Sequence, residues 1–180
     1  GFSMVTALNI ANAILYKGFN EGVDLTPMKL QRLLYLTYKE FYKRTNTLLF
    51  DEKFEVWKYG PVVRSVNAAF KKYGSNCIKD YYREYNGTVL KASEDKNPTF
   101  KSILTYIWDK YKKIDGIPLA NMSRSEKSAW FQAYTRKDAF LSIKDIKNEE
   151  DYLWQIITIH RTKSCIKMAV ANPTLAQYLI

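Results

Sequence analysis

Two stretches of this chain constrain its fold more than any others, because each carries its own start and stop signals. In the first, Thr26-Pro27-Met28-Lys29-Leu30-Gln31-Arg32-Leu33-Leu34-Tyr35 opens a helix. The Thr26 hydroxyl can accept from the unpaired N–H groups of a first turn, and Pro27 suits the first helical position, where no N–H is needed. Leu25 and Leu30 have the spacing of a hydrophobic staple. Leu30, Leu33, Leu34, Tyr38 and Phe41 then form one apolar stripe, and the pattern fades over 44–46. In the second stretch, Val56-Trp57-Lys58-Tyr59-Gly60-Pro61-Val62-Val63, alternation over 54–57 predicts a short strand. Gly60-Pro61 breaks it, and Pro61 is expected to open a helix with Gly60 as its N-cap. Val62, Val66, Ala69, Phe70 and Tyr73 supply that helix with a buried face, and Gly74 stops it.

The remaining elements follow from periodicity. A first helix is predicted over 6–17 and is expected to end at Gly18. Asn86-Gly87, flanked by Tyr81, Tyr82, Tyr85, Val89 and Leu90, predicts an antiparallel hairpin within 77–90, with the strand near Trp57 as a candidate neighbour. The polar run over 91–98 is a candidate boundary between two lobes. Phe100, Ile103, Leu104, Ile107, Trp108 and Tyr111 recur at the spacing of one helical face. Shorter helices are predicted over 119–122 and 128–137, and a long one over 149–171, ended by Pro173. The acidic triplet Glu149-Glu150-Asp151 suits the start of that helix. The fold class is therefore mainly α: a compact helical domain with a small antiparallel β element in its first half. One domain is expected over 4–180, with lobes over 4–90 and 98–180 as its internal division. Gly1-Phe2-Ser3 reads as a cloning remnant before Met4.

Chemistry-bearing patterns are sparse. His160 is the only histidine, and Cys165 would face another side of the same helix. Two cysteines and one histidine do not make a clustered zinc set, and the seven glycines are dispersed rather than gathered in a phosphate-binding loop. No catalytic, metal or cofactor residues are assigned, and the expectation is a protein that is not an enzyme. No apolar run approaches the roughly 20 residues that span a bilayer. Two cysteines without an export signal predict reduced thiols and a cytoplasmic location. The net charge of +10 suits a nucleic acid or an acidic protein as partner, but the cations fall in short groups such as Lys43-Arg44 and Lys71-Lys72, as on a solvated surface. Trp57, Trp108, Trp130 and Trp154 lie in apolar patterns and are assigned to packing first.

The two opening stretches together resemble the Panacea (SocA-like) antitoxin domain. Thr26 to Tyr35 is similar to the family's Thr-Pro-Leu-Lys-Leu-Gln-Lys-Leu-Leu-Tyr, and Val56 to Val62 to its Ala-Trp-Lys-x-Gly-Pro-Val. Phe70-Lys71-Lys72-Tyr73-Gly74 matches its Phe-Lys-x-Tyr-Gly ending. The second half departs: Ala129 precedes Trp130 where the family has proline, and Ser123-Arg124 lies near its Thr-His. The resemblance implies a phage-associated antitoxin that binds and neutralises a cognate protein toxin, in one branch as an adaptor that delivers the toxin to a protease. A basic nucleic-acid-binding regulator is the alternative. Lys29, Gln31, Trp57, Lys58, Tyr59, Gly60 and Pro61 are the candidate motif and partner-binding residues; Lys29, Gln31 and Lys58 stand out as polar positions with no packing role evident from spacing.

Overall fold

The computed structural model describes residues 5–150, and the chain up to Glu149 forms one compact unit. Among the described residues the order is α1 (Ala7–Glu21), α2 (Pro27–Thr45), β1 (Glu55–Trp57), β2 (Gly60–Val62), α3 (Arg64–Phe70), a 3-10 turn (Lys71–Tyr73), α4 (Pro98–Tyr111), α5 (Gly116–Ser123), α6 (Ala129–Arg136) and α7 (Ile143–Asn148). The protein is mainly α, with one small antiparallel sheet in its first half. The helix expected over 149–171 falls almost wholly outside the described residues, as do Trp154, His160 and Cys165. Glu149 itself is extended, with φ −66° and ψ 126°. No helix among the described residues is long and apolar enough to cross a membrane.

The architecture is organised around α2. Thr26 caps it through a 3.2 Å bond from the Lys29 N–H, Pro27 occupies its first turn, and Asn46 closes it in the left-handed conformation at φ 55°. The apolar stripe accounts for only part of this helix. Every residue from Lys29 to Lys39 is buried, because α1, α3, α4, α5, α7 and β2 all pack against it. A helix buried on all sides is ordinarily apolar all round. Here Lys29, Gln31, Arg32 and Lys39 are buried as well, so each needs an internal partner to offset its desolvation.

Of the other helices, α4 and α6 follow their sequence signals, α5 begins at Gly116 rather than at the expected 119, and α7 forms where the sequence predicts no element. Asn97, Ser128 and Ser142 cap α4, α6 and α7. The whole predicted face of α4, from Phe100 to Tyr111, is buried. The aromatic residues Tyr35, Tyr38, Phe50 and Phe54 interlock at centroid separations of 4.8–5.9 Å, which fixes the loop after α2 against its outer turns.

Three expectations are corrected. Gly18 does not end α1, which continues to Glu21 and closes at Gly22 (φ 67°). A Cβ at Gly18 would lie 2.9 Å from both Leu25 Cδ1 and the Val23 carbonyl oxygen, so the glycine serves the close approach of the α1–α2 connection. The segment 77–90 keeps its Asn86-Gly87 turn, with Gly87 at φ 85°, but forms no strands. Its backbone is claimed by α1 instead: the Asn12 amide donates to the carbonyls of Tyr82 and Leu90 at 2.9 Å each and accepts from the Tyr82 N–H at 2.9 Å. Finally, Pro61 does not begin a helix. It sits in β2, and α3 starts at Arg64.

Candidate functional site

The second motif folds as a hairpin. β1 and β2 are antiparallel, with Glu55 opposite Val62, Val56 opposite Pro61 and Trp57 opposite Gly60, so Lys58-Tyr59 forms the two-residue turn. Proline is tolerated here because the Val56 N–H bonds outward to the Ala139 carbonyl at 3.0 Å. The ladder therefore loses nothing from the N–H that Pro61 lacks. On its far side β1 is joined by the segment around Phe140, with Leu141 N–H donating to the Phe54 carbonyl at 2.9 Å.

Side chains distant in sequence lock this hairpin by its carbonyls. The Arg32 guanidinium donates to the Tyr59 carbonyl at 2.8 Å, to the Pro61 carbonyl, and to Ser123 Oγ at 3.3 Å. Arg124 donates to the Lys58 carbonyl at 3.1 Å, and Trp130 Nε1 to the Trp57 carbonyl at 2.8 Å. Gln31 holds both backbone groups of Val63, accepting from its N–H and donating to its carbonyl at 3.1 Å each. That grip keeps Val63 extended, and α3 begins at Arg64, three residues after the expected start at Pro61. Gly60 adopts φ 121°, and a Cβ there would lie 1.7 Å from Arg32 Nη1 and 2.4 Å from Ser123 Oγ. Glycine is required both by the backbone conformation and by the arginine packed against it.

The candidate residues accordingly divide into two groups. Lys29, Gln31, Gly60 and Pro61 are buried. Lys29 Nζ donates to the Lys112 carbonyl, and burial holds its ammonium below the usual lysine range, partly offset by Asp115 and Asp24. The structure thus gives Lys29 and Gln31 the packing roles that spacing alone does not reveal. Trp57 is half-buried rather than a core residue, Lys58 is exposed, and Tyr59 is 50% exposed. Their side chains border a cleft of about 330 Å³ with Gln31 and Arg32 among its lining, and Pro27, Met28, Val62, Val66, Asn67 and Phe70 completing it. No lining residue is a carboxylate. Arg64, at the same edge, lies 5.6 Å from the Trp57 ring and is paired with Glu55 at 2.7 Å. Lys58 Nζ rests 5.3 Å from the Tyr59 ring and meets no carboxylate among the described residues.

A second polar cluster lies at the other end of α2. The buried Glu149 carboxylate accepts from Lys39 Nζ at 2.6 Å, from the Tyr35 hydroxyl at 3.0 Å and from the Ala129 N–H at 2.8 Å, and Lys43 donates to its carbonyl. Its acidic charge thus serves the start of α6. Every oxygen of this carboxylate is occupied, as suits a structural ion pair that joins α2, α6 and the end of α7. No group of three or more metal-ligating side chains occurs among the described residues.

Residues beyond the candidates complete the site. Arg32 lies inside the first motif and gives no sign in its spacing of being the residue on which Gly60 depends. Ser123, Arg124 and Trp130 are far away in sequence, and only the family pattern marks that region.

A mainly helical unit thus carries a locked β-turn beside a cleft whose lining is largely apolar, with Arg32 and Lys58 as its cations. The model of the family described as antitoxin SocA-like, Panacea domain, matches residues 30–131, more than half of the chain, and the protein belongs to that family. Comparison with curated proteins and with solved structures found no match. The matched span runs from the first buried turn of α2 to the start of α6, so it contains the hairpin and the donors that lock it.

Proposed function

We propose that this protein is a non-catalytic antitoxin that binds a cognate protein toxin and neutralises it by direct contact. Membership of an antitoxin-type family supports this reading. The observation that carries it to a surface is the division of the motif residues: the buried members are spent on internal bonds, while Trp57, Lys58 and Tyr59 remain available around the cleft. Delivery of the bound toxin to a cytoplasmic protease is the adaptor form of the same reading, and it adds a requirement that neutralisation fail in cells lacking that protease.

The test is co-expression with each reading frame adjacent to this gene. Rescue of growth, together with recovery of a stable complex from purified components, is the expected result. Purified protein that binds no neighbouring gene product and rescues no growth would overturn the reading, as would turnover of a substrate by the isolated protein.

A further inference from the structure

We propose that the cleft between α2, α3 and the Lys58-Tyr59 turn takes a linear peptide segment of the partner, with one bulky apolar side chain seated in the cleft and a carboxylate placed against Lys58. The inference rests on the toxin-binding reading for the identity of the partner, and on geometry for the chemistry of the segment.

The size of the site comes first. At about 330 Å³ the cleft lies at the small end of ligand sites, which run from about 300 to 1,000 Å³. It suits one large side chain and its neighbours, not an extended cofactor. Its walls are Met28 on α2, Val66 and Phe70 on α3, and the half-buried ring of Trp57. An apolar or aromatic anchor in such a pocket is the usual source of binding energy at an interface.

Strand addition is closed off here. β2 spans only Gly60–Val62, Pro61 has no N–H to offer, and its carbonyl is taken by Arg32. Recognition must therefore come from side chains rather than from main-chain pairing.

Charge selects what flanks the anchor. The lining contains no carboxylate. Arg64 is already matched by Glu55, whereas Lys58 meets no carboxylate among the described residues. Arg124 spends its donors on the carbonyls of Lys58 and Ala120 and on Asn121 Oδ1, which leaves its positive charge beside Tyr59, 5.8 Å from the ring, without a carboxylate among the described residues. An acidic residue next to the anchor would meet Lys58 on the cleft wall, with the Arg124 charge adding to the local positive potential. A nucleic-acid strand would need a track of phosphate-binding cations, and the walls of this cleft are apolar.

The test pans a random dodecapeptide phage library against the purified full chain, against Asn67→Trp, which fills the cleft from α3, and against Lys58→Glu. Selected peptides are expected to share a large apolar or aromatic residue followed closely by Asp or Glu. A synthetic copy of the leading peptide should bind the wild type, lose at least about tenfold in affinity to Lys58→Glu, and fail to bind Asn67→Trp, while both variants melt like the parent. Selection of no peptide, selection of basic peptides, or binding that survives Asn67→Trp would overturn the inference. So would a single-stranded oligodeoxynucleotide that competes for the site at physiological salt. Growth rescue by the wild type separates the two claims: rescue without peptide selection contradicts only the cleft, and peptide selection without rescue contradicts only the toxin reading.

Discussion

On one side of the Lys58-Tyr59 turn, the backbone carbonyls of Trp57, Lys58, Tyr59 and Pro61 are gripped by Trp130, Arg124 and Arg32. On the other, the side chains of the same turn face an open cleft. Both sides belong to one motif, a few atoms apart, yet one is occupied entirely by intramolecular bonds and the other has none to its charged group. The difference teaches how to divide a recurring motif. Long polar side chains such as Lys29 and Gln31 look like contact residues in sequence, but burial makes them internal connectors. Under the proposed function, what remains for a partner is the set whose polar groups have not been consumed, together with the apolar surface beside them.

Substitutions on the two sides should therefore behave differently, beginning with the largest effect. Gly60→Ala places a methyl group on the Arg32 guanidinium and forces a non-glycine residue to φ 121°. Displacing a buried, hydrogen-bonded charge costs about 3–5 kcal/mol, so the variant is expected to be unfolded or close to it in urea titrations. Native-like stability would mean that the locked side is not locked.

A pH measurement sharpens the picture of α2, whose burial makes the locked side. Burial pushes the Tyr38 hydroxyl up to about 12 from an ordinary 10, with Tyr42 and Asp51 adding to it. The neutral phenol is thus favoured in the folded state. Its contribution is complete below pH 10 and is lost as the pH rises from 10 to 12, an effect on the order of 2 kcal/mol. Tyr38→Phe should flatten the fall in stability across that window, and an unchanged pH dependence would show that Tyr38 is not sequestered.

Trp57→Ala tests the boundary between the sides. Sequence pattern assigns Trp57 to packing, with the full cost of a core aromatic, but the ring is half-buried, and the bond it offers to Trp130 comes from its backbone, which survives the substitution. The expected loss is about 1–2 kcal/mol, below the roughly 3–5 kcal/mol of a fully buried aromatic, accompanied by loss of partner binding. A loss at the core value with binding intact would return Trp57 to the interior. Lys58→Glu is the mildest: a change within about 0.5 kcal/mol in stability, as for surface positions without a buried partner, but weaker binding of an acidic partner.

Much of this fold is legible in sequence where the signal is local. Thr26-Pro27, the face of α4 and the helix expected over 128–137 need only neighbours within a few turns, and each forms close to where its spacing predicts. Reading fails where a distant residue supplies the missing bond. Asn12 takes the backbone partners that would otherwise pair the strands of a hairpin over 77–90. Gln31 keeps Val63 extended and moves the start of α3, and Leu25 explains a glycine inside α1. For the site, Trp57, Lys58 and Tyr59 are found by the motif and lie at the cleft. Its locking residues Arg32, Ser123, Arg124 and Trp130 are joined only by the tertiary fold, as is the Lys39–Glu149 pair at the far end of α2.

The most direct measurement is the growth of cells expressing the proposed cognate toxin together with Asn67→Trp. Asn67 lies on the α3 wall of the cleft, half-buried and outside the locking bonds. The variant is expected to melt within a few degrees of the wild type yet no longer rescue growth. Rescue equal to the wild type, with the cleft filled, would contradict the proposed docking at the cleft.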